Sequence, residues 1–317
     1  MTFSSTIRIL LFTFLTAFTF SCQPKSTFKK VGYVLFFEDA TLQDAKTGFE
    51  AALKDGGFEE GKNLKFYYRN AQGDGTTQGQ IFDFFLGEGV DLIATNPTVS
   101  TIAAVQRTQT IPVCMMVSPR PDLAKLTDAN GKAPANLTGT YETLAYIDTS
   151  VTLIRTLFPN AKRIGTIYNS SEPNSLNSLE RLRSFASSIG LELSARSVNN
   201  SNETQQASFA LLSDNIDVFF ALPDNIIFSS FETIYGVMTE AKKPILSSEA
   251  GLVSRGALAA YGADMYSWGY QAGQAAVKVL RGEPIPAPDE VKVRKRIFSI
   301  KSADALGVTL PADFQGM

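Results

Sequence analysis

Lys30-Val31-Gly32-Tyr33-Val34-Leu35 and Arg163-Ile164-Gly165-Thr166-Ile167-Tyr168 open two stretches of chain that read alike. Each is a short apolar run followed by a segment with apolar residues at helical spacing: Leu42, Ala45, Phe49, Ala52 and Leu53 after the first, Leu179, Leu182, Ala186 and Ile189 after the second. The alternation continues in both. In the first stretch, strands are expected over residues 64–68, 91–94 and 111–117, with helices over 77–86 and 99–107. In the second, strands are expected over 192–198, 217–221 and 244–247, with helices over 204–213 and 226–241. Val90-Asp91-Leu92 matches Ile216-Asp217-Val218, and Ile111-Pro112-Val113 matches Lys243-Pro244-Ile245.

Successive strands and helices of this kind imply parallel sheets, because parallel neighbours need crossover connections and right-handed crossovers place helices on both faces. The expected fold class is therefore α/β, with two Rossmann-like, doubly wound parallel-sheet lobes joined by a multi-strand hinge. A further helix over 265–280 and an alternating tail over 291–300 follow the second run, so the chain is expected to recross the hinge. Lobe 1 is expected to comprise residues 31–143 plus 262–282, and lobe 2 residues 144–261 plus 290–312.

Outward from the repeats, the N-terminus is of another kind. Arg8 precedes an uncharged apolar run over 9–20, then Ser21, Cys22 and a polar stretch to Lys30. The run is too short to span a bilayer and has the layout of a cleaved signal segment, residues 1–21. Thr19-Phe20-Ser21-Cys22 resembles the lipobox of bacterial lipoproteins in its relaxed, spirochaete-like form, with Phe20 and Thr19 departing from the usual Leu-Ala-Gly-Cys. Acylation of Cys22, by palmitate or a similar chain, would anchor an exported protein to the membrane.

Composition excludes several function classes. The 317 residues are 44% hydrophobic and 19% charged with a net charge of −2, and no block of Lys or Arg offers a nucleic-acid footprint. The chain has no histidine, which removes Ser-His-Asp and Cys-His nucleophile systems and the usual zinc sites. No phosphate-binding glycine motif follows a strand, so neither a dehydrogenase nor an NTPase is indicated. No cofactor and no metal are expected. Cys114, the second of two cysteines, lies in an apolar run and is expected to be a buried free thiol.

In open α/β sheets ligands bind beyond the carboxyl ends of the strands. Those positions carry Glu38 and Asp39, then Thr95 and Thr98, in the first stretch; in the second they carry Asn174 and Ser175, then Asp224, then Glu249. Thr95, Thr98, Asn174 and Ser175 at helix starts are candidates to hold a carboxylate beside unsatisfied backbone NH groups, and Asp224 and Glu249 to hold an ammonium. Together they suit a zwitterion. Each is equally the kind of residue that simply caps a helix. Phe36, Phe37, Tyr141, Phe228 and Tyr261 are candidates to pack on a ligand side chain.

The segment Ile164-Gly165-Thr166-Ile167-Tyr168-Asn169 to Glu172-Pro173-Asn174-Ser175 resembles the Gly-x-x-Tyr-Asn-x-x-Glu-x-Asn-Ser stretch of TrpX-like substrate-binding proteins of ABC transporters. Asn70-Ala71-Gln72-Gly73-Asp74, Asn136-Leu137-Thr138-Gly139, Pro223-Asp224-Asn225 and Val279-Leu280-Arg281-Gly282-Glu283 agree with it in order. The resemblance implies a class I periplasmic-binding-protein fold that closes on a small ligand, aromatic amino acids in several members. It implies Thr95 and Ser175 on the carboxylate side and Asp224 as ammonium partner. It also implies an ABC permease as partner, a monomer, and no catalysis. Two places depart from the family: Glu38-Asp39-Ala40-Thr41-Leu42 stands for Glu-His-Pro-Ala-Leu, and Val117-Ser118-Pro119-Arg120 brings in a new guanidinium. A lipoprotein that senses ligand for a membrane receptor, or a hydrolase using the cleft carboxylates, would share much of this pattern.

Overall fold

The computed structural model describes residues 28–317, so the expected signal segment and Cys22 lie outside the described residues. The first stretch folds as β1 (Lys29–Leu35), α1 (Ala40–Asp55), β2 (Leu64–Asn70), α2 (Gly75–Glu88), β3 (Leu92–Asn96), α3 (Thr98–Arg107), β4 (Val113–Met115) and β5 (Leu137–Tyr141). The second folds as α4 (Tyr146–Leu157), β6 (Arg163–Asn169), α5 (Pro173–Ser188), β7 (Glu192–Val198), α6 (Thr204–Ser213), β8 (Val218–Ala221), α7 (Asn225–Ser229), α8 (Phe231–Glu240), β9 (Ile245–Ser247) and β10 (Ala259–Ala263). The chain ends with α9 (Met265–Leu280), β11 (Asp289–Glu290), β12 (Arg294–Phe298), α10 (Ile300–Leu306) and β13 (Gln315–Gly316).

Two sheets result, ordered β11-β5-β4-β3-β1-β2 and β13-β12-β10-β9-β8-β6-β7. Every pairing is parallel except β10 with β12. The matched sequence pieces do the same structural work in each. Asp91 accepts the Lys30 NH (2.7 Å) just as Asp217 accepts the Arg163 NH (2.9 Å), which pins the central pair of strands in register. Likewise Ile93 donates to the carbonyl of Pro112 and Phe219 to that of Pro244, both at 2.9 Å.

Three passages join the sheets: β5 into α4, β10 into α9, and β11 into β12. The last return is tight. α9 crosses α1 so closely that a Cβ on Gly269 would lie 1.7 Å from the Ala45 carbonyl oxygen, and one on Gly48 1.9 Å from that of Tyr266. The Trp268 indole donates to the Thr140 carbonyl (2.9 Å), fixing α9 to the first sheet, while Ser150 on α4 donates to the Tyr261 carbonyl (2.7 Å) in the second. Cys114 is free and buried, its thiol pushed up by burial.

The expected helix over 226–241 is in fact two, α7 and α8. The break is at Ser230, whose hydroxyl turns back to the Ile226 carbonyl while its backbone leaves the helical region (φ −126°, ψ 20°). The tail expected as one strand over 291–300 is β12 alone, and Ile300 already opens α10.

Candidate functional site

Between the sheets lies a cavity with about 370 Å³ of atom-free space, its mouth included. Lobe 1 contributes Thr98 from the start of α3, Val117 to Pro119 beyond β4, and Trp268 from α9. Glu142, Leu144 and Tyr146 come from the passage between β5 and α4. Lobe 2 contributes Asn174 from α5, Pro223, Asn225 and Phe228 around α7, and Glu249 beyond β9. Val117 (φ 49°) and Leu144 (φ 68°) hold left-handed backbone conformations unusual for their residue types, which is the kind of strain that gathers where a wall must be shaped for a ligand.

No Lys or Arg lines the cavity, yet two carboxylates do. Glu142 is matched: Arg294 on β12 grips it from Nε (3.0 Å) and Nη2 (2.6 Å), and the Thr143 NH adds a third bond (2.8 Å). Glu249 is not. Its Oε1 accepts from the Tyr146 hydroxyl (2.9 Å), while Oε2 is buried without a partner. Burial, with the Glu142 charge adding to it, pushes the Glu249 carboxyl up to about 8. An unpaired buried carboxylate oxygen costs free energy unless a cation arrives. Asn174 also has its Oδ1 unpaired, its Nδ2 being spent on the Pro223 carbonyl (3.2 Å).

Thr98, Asn174 and Glu249, singled out from the sequence, therefore stand in the wall; the other five stand behind or beside it. Asp224 is wholly buried and accepts from the NH groups of Ile226, Ile227 and Asn169 at 2.8, 3.0 and 2.8 Å, capping α7. Ser175 accepts from that same Asn169 NH (2.9 Å). Asp39 caps α1 through the Thr41 NH (2.8 Å). Thr95 faces Thr101 inside lobe 1 (2.8 Å), and Glu38 is exposed, accepting from Gln43 and Asn70. Of the proposed aromatics, Phe228 alone lines the cavity. Arg120 points outward onto Asp122, away from the cleft. Glu142, Tyr146 and Trp268 are wall residues that reading the strand ends did not find.

The helix ends at the wall differ in a way that matters for anions. α3 follows Pro97, which has no side chain to cap it, and α5 follows Glu172, whose carboxylate goes instead to Asn169 (3.0 Å) and Asn225 (2.5 Å). The NH of Thr98 opening α3, and that of Asn174 after the NH-less Pro173 in α5, thus have no side-chain cap. Burial, then the nearby Asp224, pushes Glu172 up to about 7.

Two doubly wound lobes, three connecting passages and one enclosed cavity define the class I periplasmic-binding-protein fold. The chain belongs to the ABC transporter substrate binding protein family, whose model matches residues 30–314. It is 37% identical over 281 residues to a tyrosine-binding protein of Clostridioides difficile, covering 87% of this chain and 81% of the relative. A Streptococcus pneumoniae structure in complex with L-Trp is 28% identical with a TM-score of 0.83, covering 90% of this chain and 97% of that one. A substrate-binding protein with adhesive properties from Clostridium difficile, solved ligand-free and open, is 32% identical with a TM-score of 0.69, covering 91% and 99%.

Proposed function

We propose that this chain captures a zwitterionic amino acid, aromatic ones foremost, outside the cytoplasm, and hands it to the permease of an ABC importer. The observation that carries the ligand class is the buried, unpaired Oε2 of Glu249 in a cavity without Lys or Arg. An ammonium completes that carboxylate, and the open ends of α3 and α5 take the ligand's carboxylate. Phe228, Trp268 and Leu144 give its side chain an apolar seat. The tyrosine and tryptophan named for the two relatives support this choice. Turnover is not expected, because both Glu142 oxygens are taken up by Arg294 and only one free acid remains.

Residues 1–21 serve as signal segment and Cys22 as lipid attachment in this reading, and no helix among the described residues is long and apolar enough to cross a membrane. Calorimetric titration against the common amino acids is the test of ligand class: L-tyrosine or L-tryptophan binds the wild type and fails to bind Glu249→Ala. If no amino acid binds, the reading is wrong. Radiolabelled palmitate, incorporated by the wild type and not by Cys22→Ala, tests the anchor.

A further inference from the structure

Arg255, between β9 and β10, has a side chain that grips the cavity wall, its own lobe and the opposite lobe together. Its Nη2 donates to the Phe228 carbonyl (2.7 Å), and Nε and Nη2 hold Glu232 on α8, both at 2.8 Å. The guanidinium also lies 5.3 Å from the centroid of the Phe231 ring. Nη1 remains, and it reaches across the cleft to Oδ2 of Asp39 (2.7 Å).

The two partners are built before they meet. Asp39 is held in lobe 1 because its other oxygen caps α1, and Arg255 is held in lobe 2 by Glu232 and the Phe228 carbonyl, so closing the cleft orders neither side chain anew. Once joined they are nearly dry, with side-chain exposures of 13% for Arg255 and 3% for Asp39. The surrounding boundary is tight: a Cβ on Gly251 in lobe 2 would come 2.5 Å from Cγ2 of Thr41 at the start of α1. Opening the lobes must break this charged bond and wet both ends, together with the neutral bond from the Asn177 amide to the Leu123 carbonyl (2.7 Å), whereas the bonds inside each lobe survive.

We infer that Arg255 is a positioning residue that latches the closed cleft onto Asp39 and, by holding Phe228 in the wall, sets the rate at which ligand leaves. This rests on the reading that the cleft holds an amino acid. The variants Asp39→Ser and Asp39→Asn separate the latch from the helix cap, since both cap α1. Serine is too short to reach Arg255, and in asparagine the cap claims the sole acceptor oxygen and leaves an NH2 facing the guanidinium.

With L-tyrosine and L-tryptophan as probes in stopped-flow binding, either variant is expected to release ligand about tenfold faster. Association should stay within about twofold of wild type, because affinity changes in related complexes fall mostly on dissociation. Melting temperature should not move. Arg255→Lys, which keeps the charge without the fork, should fall between, and Asp83→Asn, which removes an exposed ion pair on the far side of lobe 1, should change nothing. Wild-type release in both Asp39 variants, or a loss confined to association or to melting, overturns the latch. If the wild type binds neither amino acid, the functional reading fails on its own. The latch is then judged by X-ray scattering of ligand-free protein: a larger radius of gyration in Asp39→Ser supports it, and an unchanged one overturns it.

Discussion

At the cleft, lobe 1 presents α1 and α3 where lobe 2 presents α5 and α7, and the two lobes cap opposite members of the pair. In the register set by the repeats, Asp39 stands opposite Glu172, Thr98 opposite Asp224, and Val117 opposite Glu249. Asp39 is short enough to turn back onto α1, while Glu172, one methylene longer, reaches past α5 to two asparagines. Thr98 starts an uncapped α3, while Asp224 closes α7 completely. Each lobe therefore keeps one helix end for itself and leaves one for the ligand. Charge is divided less evenly, because the free carboxylate belongs to lobe 2 and lobe 1 answers it with Val117. In the proposed reading a ligand's ammonium engages lobe 2, and Thr98 and Val117 of lobe 1 close over it.

The largest effect that could break this division is on Glu249. Glu249→Ala is expected to cost about a hundredfold or more in amino-acid affinity by titration calorimetry, while Val117→Ala in the matching position of lobe 1 costs far less. Next is stability: Asp224→Ala should lose about 2 kcal/mol in denaturant unfolding, because the buried Ile226 and Ile227 NH groups lose their acceptor and the Asn169 NH keeps only Ser175, and Asp39→Ala about 1 kcal/mol. Similar losses for both would erase the contrast between the capped ends.

A third effect is on pH. Glu172 and Glu249 hold protons to about 7 and about 8 in the folded protein, well above the ordinary carboxylate range. Between about pH 5 and 8 the folded state therefore binds more protons than the unfolded one, and the stability of ligand-free protein falls as pH rises. Thermal melting should show this as a decline that is shallower above pH 6 in Glu249→Gln, with roughly 2–4 °C for each kcal/mol. Saturating amino acid should oppose the decline by favouring the charged carboxylate. The smallest effect is expected from Thr98→Ala, at about 0.5–1 kcal/mol of binding free energy, since an uncapped helix end works mainly through its backbone.

The alternation of strands and helices, and hence the two lobes, could be read from the sequence because those elements keep their periods: β7, α6 and α9 begin and end where the pattern places them. Among the elements the pattern does not show, three break their local rules. β5 is Leu137-Thr138-Gly139-Thr140-Tyr141, with glycine at its centre. β10 is Ala259-Ala260-Tyr261-Gly262-Ala263, without a β-branched residue. α4 carries Ile147, Thr149, Val151, Thr152, Ile154 and Thr156, which favour strands elsewhere, and is helical because its apolar face packs on lobe 2. Because β5 does not show in the pattern, Glu142, directly beyond its carboxyl end, does not stand out as a strand-end residue. Trp268 escaped because α9 belongs to the wall only through the final return of the chain. Asp39 and Asp224 were placed correctly at strand ends, but no sequence pattern distinguishes a carboxylate that caps from one left free.

The crossing of α9 over α1 bears on the order in which the molecule can be finished. Lobe 1 gets Trp268, its seal against the Thr140 carbonyl, and the helix that covers α1 from residues 265–280, after most of lobe 2 has been made. A chain emerging N-terminus first from a ribosome or an export channel thus carries an incomplete first lobe for most of its passage. That lobe acquires this packing surface only when the thread has nearly run out, so the half that appears first cannot be finished until most of the second has been made.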